Sequence, residues 1–133
     1  MAGLIYSMIT EILFNDDKSL LTWMLSDGSE ACRKCNFVSA FVTSDSKAIV
    51  IIEPSSGNNL SVISSDGKEI CRPDNPLSSN DLDTCFTGGG VMNGINYLYS
   101  AGLSKGGPTK VSVDIICKLN SETYEIYDVV QSR

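Results

Sequence analysis

Residues Ser26–Asn36, SDGSEACRKCN, return 39 positions later as Ser65–Asn75, SDGKEICRPDN. Seven of the eleven paired positions are identical, including an Asp-Gly pair and the Cys-Arg pair that follows it. Asp-Gly between apolar runs favours a two-residue hairpin turn, because both residues tolerate positive φ angles. The sequence therefore predicts two matching β-hairpins.

Two-residue turns would fix the register of both hairpins. Val62 would then lie opposite Cys71, and Trp23 would lie opposite Cys32. Each repeated cysteine would pack against a large apolar residue across the strand pair. A period near 40 residues also suggests a propeller. Only two copies are visible, however, and 133 residues are too few for four blades, so two similar hairpins within one sheet or sandwich are predicted.

The rest of the chain indicates further strands. Ala48–Glu53 is a continuous aliphatic run, which predicts a strand buried on both faces. Lys110–Leu119 and Thr123–Val130 alternate as the arms of a closing hairpin. Leu4–Phe14 fits a strand, although a short helix over its centre would also fit.

Two short helices are also predicted. Ser79–Phe86 could form a helical turn with Ser79 as its N-cap. Between positions 91 and 99, four apolar residues have the i, i+4, i+7, i+8 spacing of an amphipathic helix: Val91, Ile95, Leu98 and Tyr99. The expected fold class is therefore α+β, one β-rich domain spanning residues 1–133. It would consist predominantly of antiparallel sheet, as a sandwich or curved meander of about eight strands, with one or two short helices.

The charge balance limits the possible partners. Sixteen acidic residues against ten basic ones leave a net charge of −6. That charge argues against nucleic acid, whose phosphates require clustered cations, and it permits a basic protein partner. The longest aliphatic run, Ala48–Ile52, is far too short to span a membrane. With no basic leader region at its start, the chain is expected to be cytoplasmic, or else an already processed product.

The cysteines allow three interpretations. The five are Cys32, Cys35, Cys71, Cys85 and Cys117, and histidine is absent. The first two form a Cys-x-x-Cys pair, which could be half of a zinc site or a redox pair. There is no second such pair, and the flanks are predicted to be strand and loop rather than the start of a helix. Structural thiols are the favoured interpretation, while disulfide bonding and zinc binding stay open.

No motif for catalysis or cofactor binding is evident. Thr87–Gly90 loosely resembles a phosphate-binding loop, but it fits neither phosphate-loop pattern and no lysine follows within the predicted helix, so a flexible connector is predicted. Asp81 and Asp83 are two residues apart and would not share a helix face. No catalytic residue, metal or cofactor is therefore assigned.

The leading hypothesis is a small non-enzymatic cytoplasmic binding protein, in its most specific form an inhibitor or immunity protein that masks a basic toxin or nuclease. Residues 73–104 contain no lysine or arginine. Asp74, Asp81 and Asp83 in this segment are the predicted partner-binding residues. The alternatives are a thiol- or carboxylate-based enzyme, and a structural or assembly subunit that pairs its edge strands with copies of itself. The oligomeric state stays open.

Overall fold

The computed structural model of the protein describes residues 8–55, 57–78, 81–106 and 112–132. These residues contain strands and no helix. The strands are β1 Ile9–Phe14, β2 Leu20–Leu25, β3 Glu30–Lys34, β4 Ser39–Val42, β5 Ala48–Ile52, β6 Leu60–Ser64, β7 Glu69–Cys71, β8 Leu82–Met92, β9 Ile95–Ser104, β10 Ser112–Leu119 and β11 Ile126–Gln131. The fold is therefore all-β with eleven described strands, and the predicted α+β class with short helices and about eight strands is wrong.

The strands form three antiparallel sheets in chain order. The first sheet contains β1, β2 and β3, the middle sheet contains β4 to β7, and the last sheet contains β8 to β11. Within each sheet, consecutive strands are hydrogen-bonded neighbours. Each sheet is thus an up-and-down meander, the arrangement that also makes up the blades of β-propellers.

The middle sheet lies between the other two and packs against each of them, which gives two hydrophobic cores. All five residues of β5 are buried, as the aliphatic run predicted. Alternate residues of β5 point to opposite faces. The cluster shared with the first sheet contains Ile9, Leu21, Trp23, Phe37, Ala40, Ile49, Ile51 and Ile63. The cluster shared with the last sheet contains Ala48, Val50, Ile52, Leu60, Val62, Phe86, Leu98, Cys117 and Leu119.

A β-hairpin replaces the helix predicted between positions 91 and 99. Asn93 and Gly94 both have positive φ angles, 52° and 77°, and they join β8 directly to β9. This is the type I′ geometry that favours Asn-Gly. The helical spacing of the apolar residues is a coincidence that arises because the pattern crosses a turn.

The other predicted helix is also a strand where the structure describes it. Residues 79 and 80 lie outside the described residues, and β8 begins at Leu82. Its first residues pair with the end of β9, with Thr84 opposite Gly102. β8 continues through Gly88–Gly90 to Met92, so the predicted glycine connector is part of an eleven-residue strand.

Both Asp-Gly hairpins form, but with three-residue loops rather than two-residue turns. The flanking pairs are Leu25 with Ser29 and Ser64 with Lys68, each closed by a backbone hydrogen bond of 2.9 Å. Among the loop residues only the glycines have a positive φ, 88° in the first loop and 87° in the second. This is the pattern of a type I turn followed by a left-handed glycine.

The longer loops change the predicted register by one residue. In the first hairpin Trp23 lies opposite Ala31, so its predicted pairing with Cys32 is wrong. In the second hairpin an irregularity in the β6–β7 pairing shifts the register back by one residue. Val62 therefore lies opposite Cys71, as predicted. Cys71 therefore packs against the core between the middle and last sheets, whereas Cys32 is exposed.

Buried asparagines link the middle and last sheets. Asn59 Oδ1 accepts a hydrogen bond from Phe86 N at 2.8 Å, and Asn59 Nδ2 donates to Phe86 O and to Glu53 O, each at 2.9 Å. Asn96 Oδ1 accepts a hydrogen bond from Ser44 N at 2.8 Å. These bonds hold the start of β6 and the end of β4 to the last sheet.

No helix in the described part of the chain is long and apolar enough to cross a membrane.

Candidate acidic groove

The candidate site is a groove of about 400 Å³ between the segment after β7 and the start of β11. We call it the acidic groove. Its lining residues come from two parts of the chain that are distant in sequence: Pro73, Asp74, Pro76, Tyr124, Glu125, Ile126 and Val129. The groove is therefore a product of tertiary structure and not of one motif.

The first wall is fixed by Asn75, which is buried. Its backbone N donates to Asn58 Oδ1 at 2.9 Å, and its side-chain Oδ1 accepts from Ser100 Oγ at 2.9 Å. Prolines on either side lack a backbone N–H and cannot extend the β7 ladder. The chain therefore leaves the sheet after Cys71 and lies against the last sheet.

Two carboxylates, those of Asp74 and Glu125, line this groove together with apolar side chains. Asp74 Oδ1 accepts a hydrogen bond from Asn58 Nδ2 at 2.9 Å, which holds the Asp74 carboxylate in place. Asp74 and Glu125 are both exposed. Tyr124 and Ile126 are half-buried and pack against the core between the middle and last sheets. An aliphatic stem that carries a cation matches this surface, because Lys and Arg bury their stems while their charged ends stay in water.

Tyr124 contributes an uncharged ring to the groove lining. Burial raises its pKa, and the neighbouring Asp45 carboxylate adds to the shift. The phenol therefore stays neutral at physiological pH. Its ring can contact an alkyl chain or a cation, as aromatic faces do.

The three predicted partner-binding aspartates do not lie together. Asp74 lines the acidic groove. Asp83 lies on β8 opposite Leu103, on the face of the last sheet that points away from the middle sheet. The backbone O of Asp81 accepts a hydrogen bond from Lys105 N at 3.1 Å, which places Asp81 beside the far end of β9. Of the other acidic residues, Glu125 lines the same groove as Asp74.

The cysteines are distributed over different layers. Cys32 is exposed, Cys35 and Cys71 are half-buried against different cores, and Cys117 is buried. Cys85 Sγ lies 3.5 Å from Ser55 O in the β5–β6 connection. The described residues contain no group of three or more His, Cys, Asp or Glu side chains placed to hold a metal ion. This distribution does not fit the zinc interpretation.

Burial disfavours the thiolate at three of these cysteines. It raises the pKa of Cys35, against the opposing effect of the Arg33 charge, and it raises the pKa of Cys71. It raises the pKa of Cys117 to about 11. A nucleophilic or redox cysteine requires the opposite shift.

Alkylation of the native protein at pH 8 should therefore separate the cysteines. We expect iodoacetamide to modify exposed Cys32 first and Cys117 last, because only about one in a thousand Cys117 thiols is ionised at that pH. Mass spectrometry of tryptic peptides over time measures the order, and the same reaction in urea gives the unfolded control. Faster modification of Cys35 than of Cys32 would support thiol chemistry and contradict a structural role.

The largest ion-pair network among the described residues also has a structural role. Arg72 contacts Glu53 at 2.5 Å and Glu69 at 2.9 Å, and it donates to Asn58 O at 3.0 Å. Glu69 also accepts a hydrogen bond from Ser61, which is the main reason that its pKa is lowered. Both carboxylates are paired with Arg72, and the lowered pKa of Glu69 makes it unsuitable as a proton donor.

The repeated arginine of the first hairpin is also engaged in structure. Arg33 Nη1 donates to Gly67 O at 2.6 Å and so connects the first hairpin to the loop of the second.

Comparisons of the chain with protein-family models, with curated proteins and with solved structures give no match. The chemistry of the acidic groove is therefore the basis for a functional proposal.

Proposed function

We propose that the protein is a small, non-enzymatic, cytoplasmic binding protein whose acidic groove receives a lysine or arginine side chain of a basic protein partner. The observation that carries the proposal is that Asp74 and Glu125 line the same groove as the apolar side chains of Tyr124, Ile126 and Val129. Such a groove recognises a cation and its aliphatic stem together. Its most specific form is an inhibitor or immunity protein that covers the basic surface of a toxin or nuclease.

The net charge of −6 supports this proposal. A negative field accelerates encounter with a cationic partner and discriminates against acidic ones. In this proposal Asp74 makes the contact, while Asp81 and Asp83 add to the field from other parts of the last sheet.

Loss of either groove carboxylate is expected to weaken binding of a basic peptide. The probe is an octapeptide of alternating arginine and glycine, titrated into labelled protein and followed by NMR chemical shifts. Asp74→Asn and Glu125→Gln should each raise Kd about two- to fivefold, the usual effect of one exposed ion pair. Asp74→Asn keeps the oxygen that accepts the hydrogen bond from Asn58, so the fold of the loop is preserved.

Asp16→Asn is the matched control, because Asp16 is exposed in the β1–β2 connection and its loss removes the same charge. It should leave Kd almost unchanged. The affinity of the unaltered protein should fall as salt is raised. Equal weakening by all three substitutions would show that the peptide responds to net charge alone and would contradict a specific groove.

A further inference from the structure

The last sheet has an apolar outer face that no described strand covers. The pairing of β9 with β10 and of β10 with β11 places six large side chains there, which we call the tyrosine face: Tyr97, Tyr99, Leu103, Ile116, Tyr127 and Val130. Tyr99 is 42% exposed, Leu103 46% and Val130 61%. Two charged side chains share this side of the sheet: Lys118 lies opposite Tyr97 and Tyr127, and Asp114 lies opposite Ala101. An exposed group of large apolar side chains with few charges among them marks an interaction surface.

The stacking of the other two sheets indicates what should cover this face. In the first sheet, Leu21 and Trp23 of β2 point towards the middle sheet. Thirty-nine residues later (21 to 60 and 23 to 62), Leu60 and Val62 of β6 point towards the last sheet. Equivalent positions thus cover the next sheet in the chain. The tyrosine face is the corresponding side of the last sheet. If the same stacking pattern continues, another sheet should cover it.

The sheets also stack in the same direction. Trp23 Nε1 donates to Ser65 O at 2.8 Å, and Arg33 Nη1 donates to Gly67 O at 2.6 Å. The strands of the first hairpin therefore contact the loop of the second hairpin, so the two hairpins lie side by side in the stack. The face that an incoming sheet must present is the side of the first sheet that points away from Trp23.

That side of the first sheet is also uncovered by any described strand. Its register places Leu13 opposite Thr22 and Thr22 opposite Cys32, and Leu20 and Met24 share this side because strand side chains alternate. Leu13 is 50% exposed. We call this surface the leading face. Among the described surfaces, the leading face is the one that would meet the tyrosine face if the stacking of sheets continued.

We propose that a second copy of this chain docks its leading face on the tyrosine face. The contact is head-to-tail, so two copies related by a twofold axis make it twice and close a ring. The ring would contain six sheets, within the four to eight blades of closed propellers. It would leave the acidic groove free, because the groove lies on the inward side of the last sheet with Tyr124 and Ile126.

Light scattering after size exclusion tests the association. The chain should elute as a dimer of twice 14.3 kDa. Tyr99→Lys on the tyrosine face and Leu13→Lys on the leading face should each raise the dimer dissociation constant at least tenfold. Ile70→Lys is the control, since Ile70 is 45% exposed on the edge strand β7 and belongs to neither face.

Mixing the two interface variants separates head-to-tail docking from self-pairing of one face. A Tyr99→Lys chain keeps an intact leading face, and a Leu13→Lys chain keeps an intact tyrosine face, so the mixture should recover dimer through one undamaged contact. A monomer at millimolar concentration overturns the proposal. So does a dimer that Tyr99→Lys dissociates while Leu13→Lys leaves it unchanged.

A crosslink tests the register of the contact. If equivalent strands stack, β11 of one copy lies over β3 of the other, and a cysteine at Val130 comes near exposed Cys32. Diamide should oxidise the two thiols of Val130→Cys protein to an intermolecular disulfide, itself being reduced to the hydrazine. A covalent dimer is expected on a non-reducing gel. Loss of that dimer in the Val130→Cys/Cys32→Ser protein confirms the pair, whereas its persistence, or a ladder of larger products, overturns the closed ring.

Discussion

Trp23→Ala is expected to lower the free energy of unfolding by about 3–5 kcal/mol, the usual cost of removing a fully buried large aromatic side chain. Trp23 is 0% exposed in the core between the first and middle sheets. Its ring also reaches the loop of the second hairpin, where Nε1 donates to Ser65 O at 2.8 Å. The substitution would leave a cavity and remove the partner of that carbonyl. Because domains of this size are stable by only about 5–15 kcal/mol, a large part of the stability would be lost.

Urea unfolding followed by circular dichroism measures the effect, because Trp23 is the only tryptophan and its fluorescence is lost with it. Trp23→Phe separates packing from the hydrogen bond. It should lower the free energy of unfolding by less than Trp23→Ala, because most of the ring volume remains. Ile70→Ala, at an exposed site on β7, should change stability by less than about 0.5 kcal/mol. A loss of less than about 1 kcal/mol for Trp23→Ala would show that the first sheet is not packed on the middle sheet as described.

Turn chemistry allowed the two hairpins to be predicted, but not their registers. Asp-Gly indicates a reversal, yet it is compatible with both two-residue and three-residue loops. The structure uses the longer loop, and a one-residue change turns a side chain to the opposite face. Cys32 is therefore exposed, while the irregularity in β7 returns Cys71 to the core. No local feature of the sequence distinguishes these two outcomes.

The predicted helices show how a periodic pattern can mislead. Val91 and Tyr99 fit one helical face only if the chain continues through Asn93-Gly94 without reversing. The dipeptide is itself a strong hairpin signal, and with it β8 and β9 could have been predicted as strands. For the buried strand β5 there is no such conflict, and its aliphatic run was sufficient to predict a buried strand.

The acidic groove could be predicted only in part. Asp74 was identified because its segment lacks lysine and arginine. Glu125 is 51 residues further along (74 to 125), in a turn with no distinguishing motif, and it reaches the groove only because β11 pairs with β10 in the last sheet. Sites built from distant loops depend on tertiary contacts that a single sequence does not contain.

The two proposed surfaces use opposite sides of the last sheet. The acidic groove shares the inward side with the buried core, whereas the tyrosine face points outward. Association of two copies would therefore not block a basic partner, and it would present two grooves at once. A bivalent partner would then bind more tightly than one groove allows, without any new contact.

Gly89→Ala is expected to lower the free energy of unfolding by about 3 kcal/mol, at the upper end of the range for overpacked sites. A Cβ at this position would lie 2.5 Å from Tyr97 O and 2.8 Å from Phe41 Cε1. The first neighbour is backbone within the same sheet and cannot move without distorting the β8–β9 pairing. The second belongs to β4, so the bare Gly89 backbone is what lets the middle and last sheets approach closely here.

Gly90→Ala is the matched control, one residue further along the same strand, where a Cβ would meet nothing within 4 Å. Neither glycine has a positive φ, so both substitutions restrict the unfolded chain similarly and only the contacts differ. Gly90→Ala should leave stability unchanged or raise it by up to about 1 kcal/mol. Urea midpoints of the two variants give the comparison. Equal stability would mean that β4 and β8 do not pack at Gly89, and the close approach of the two sheets would then be wrong.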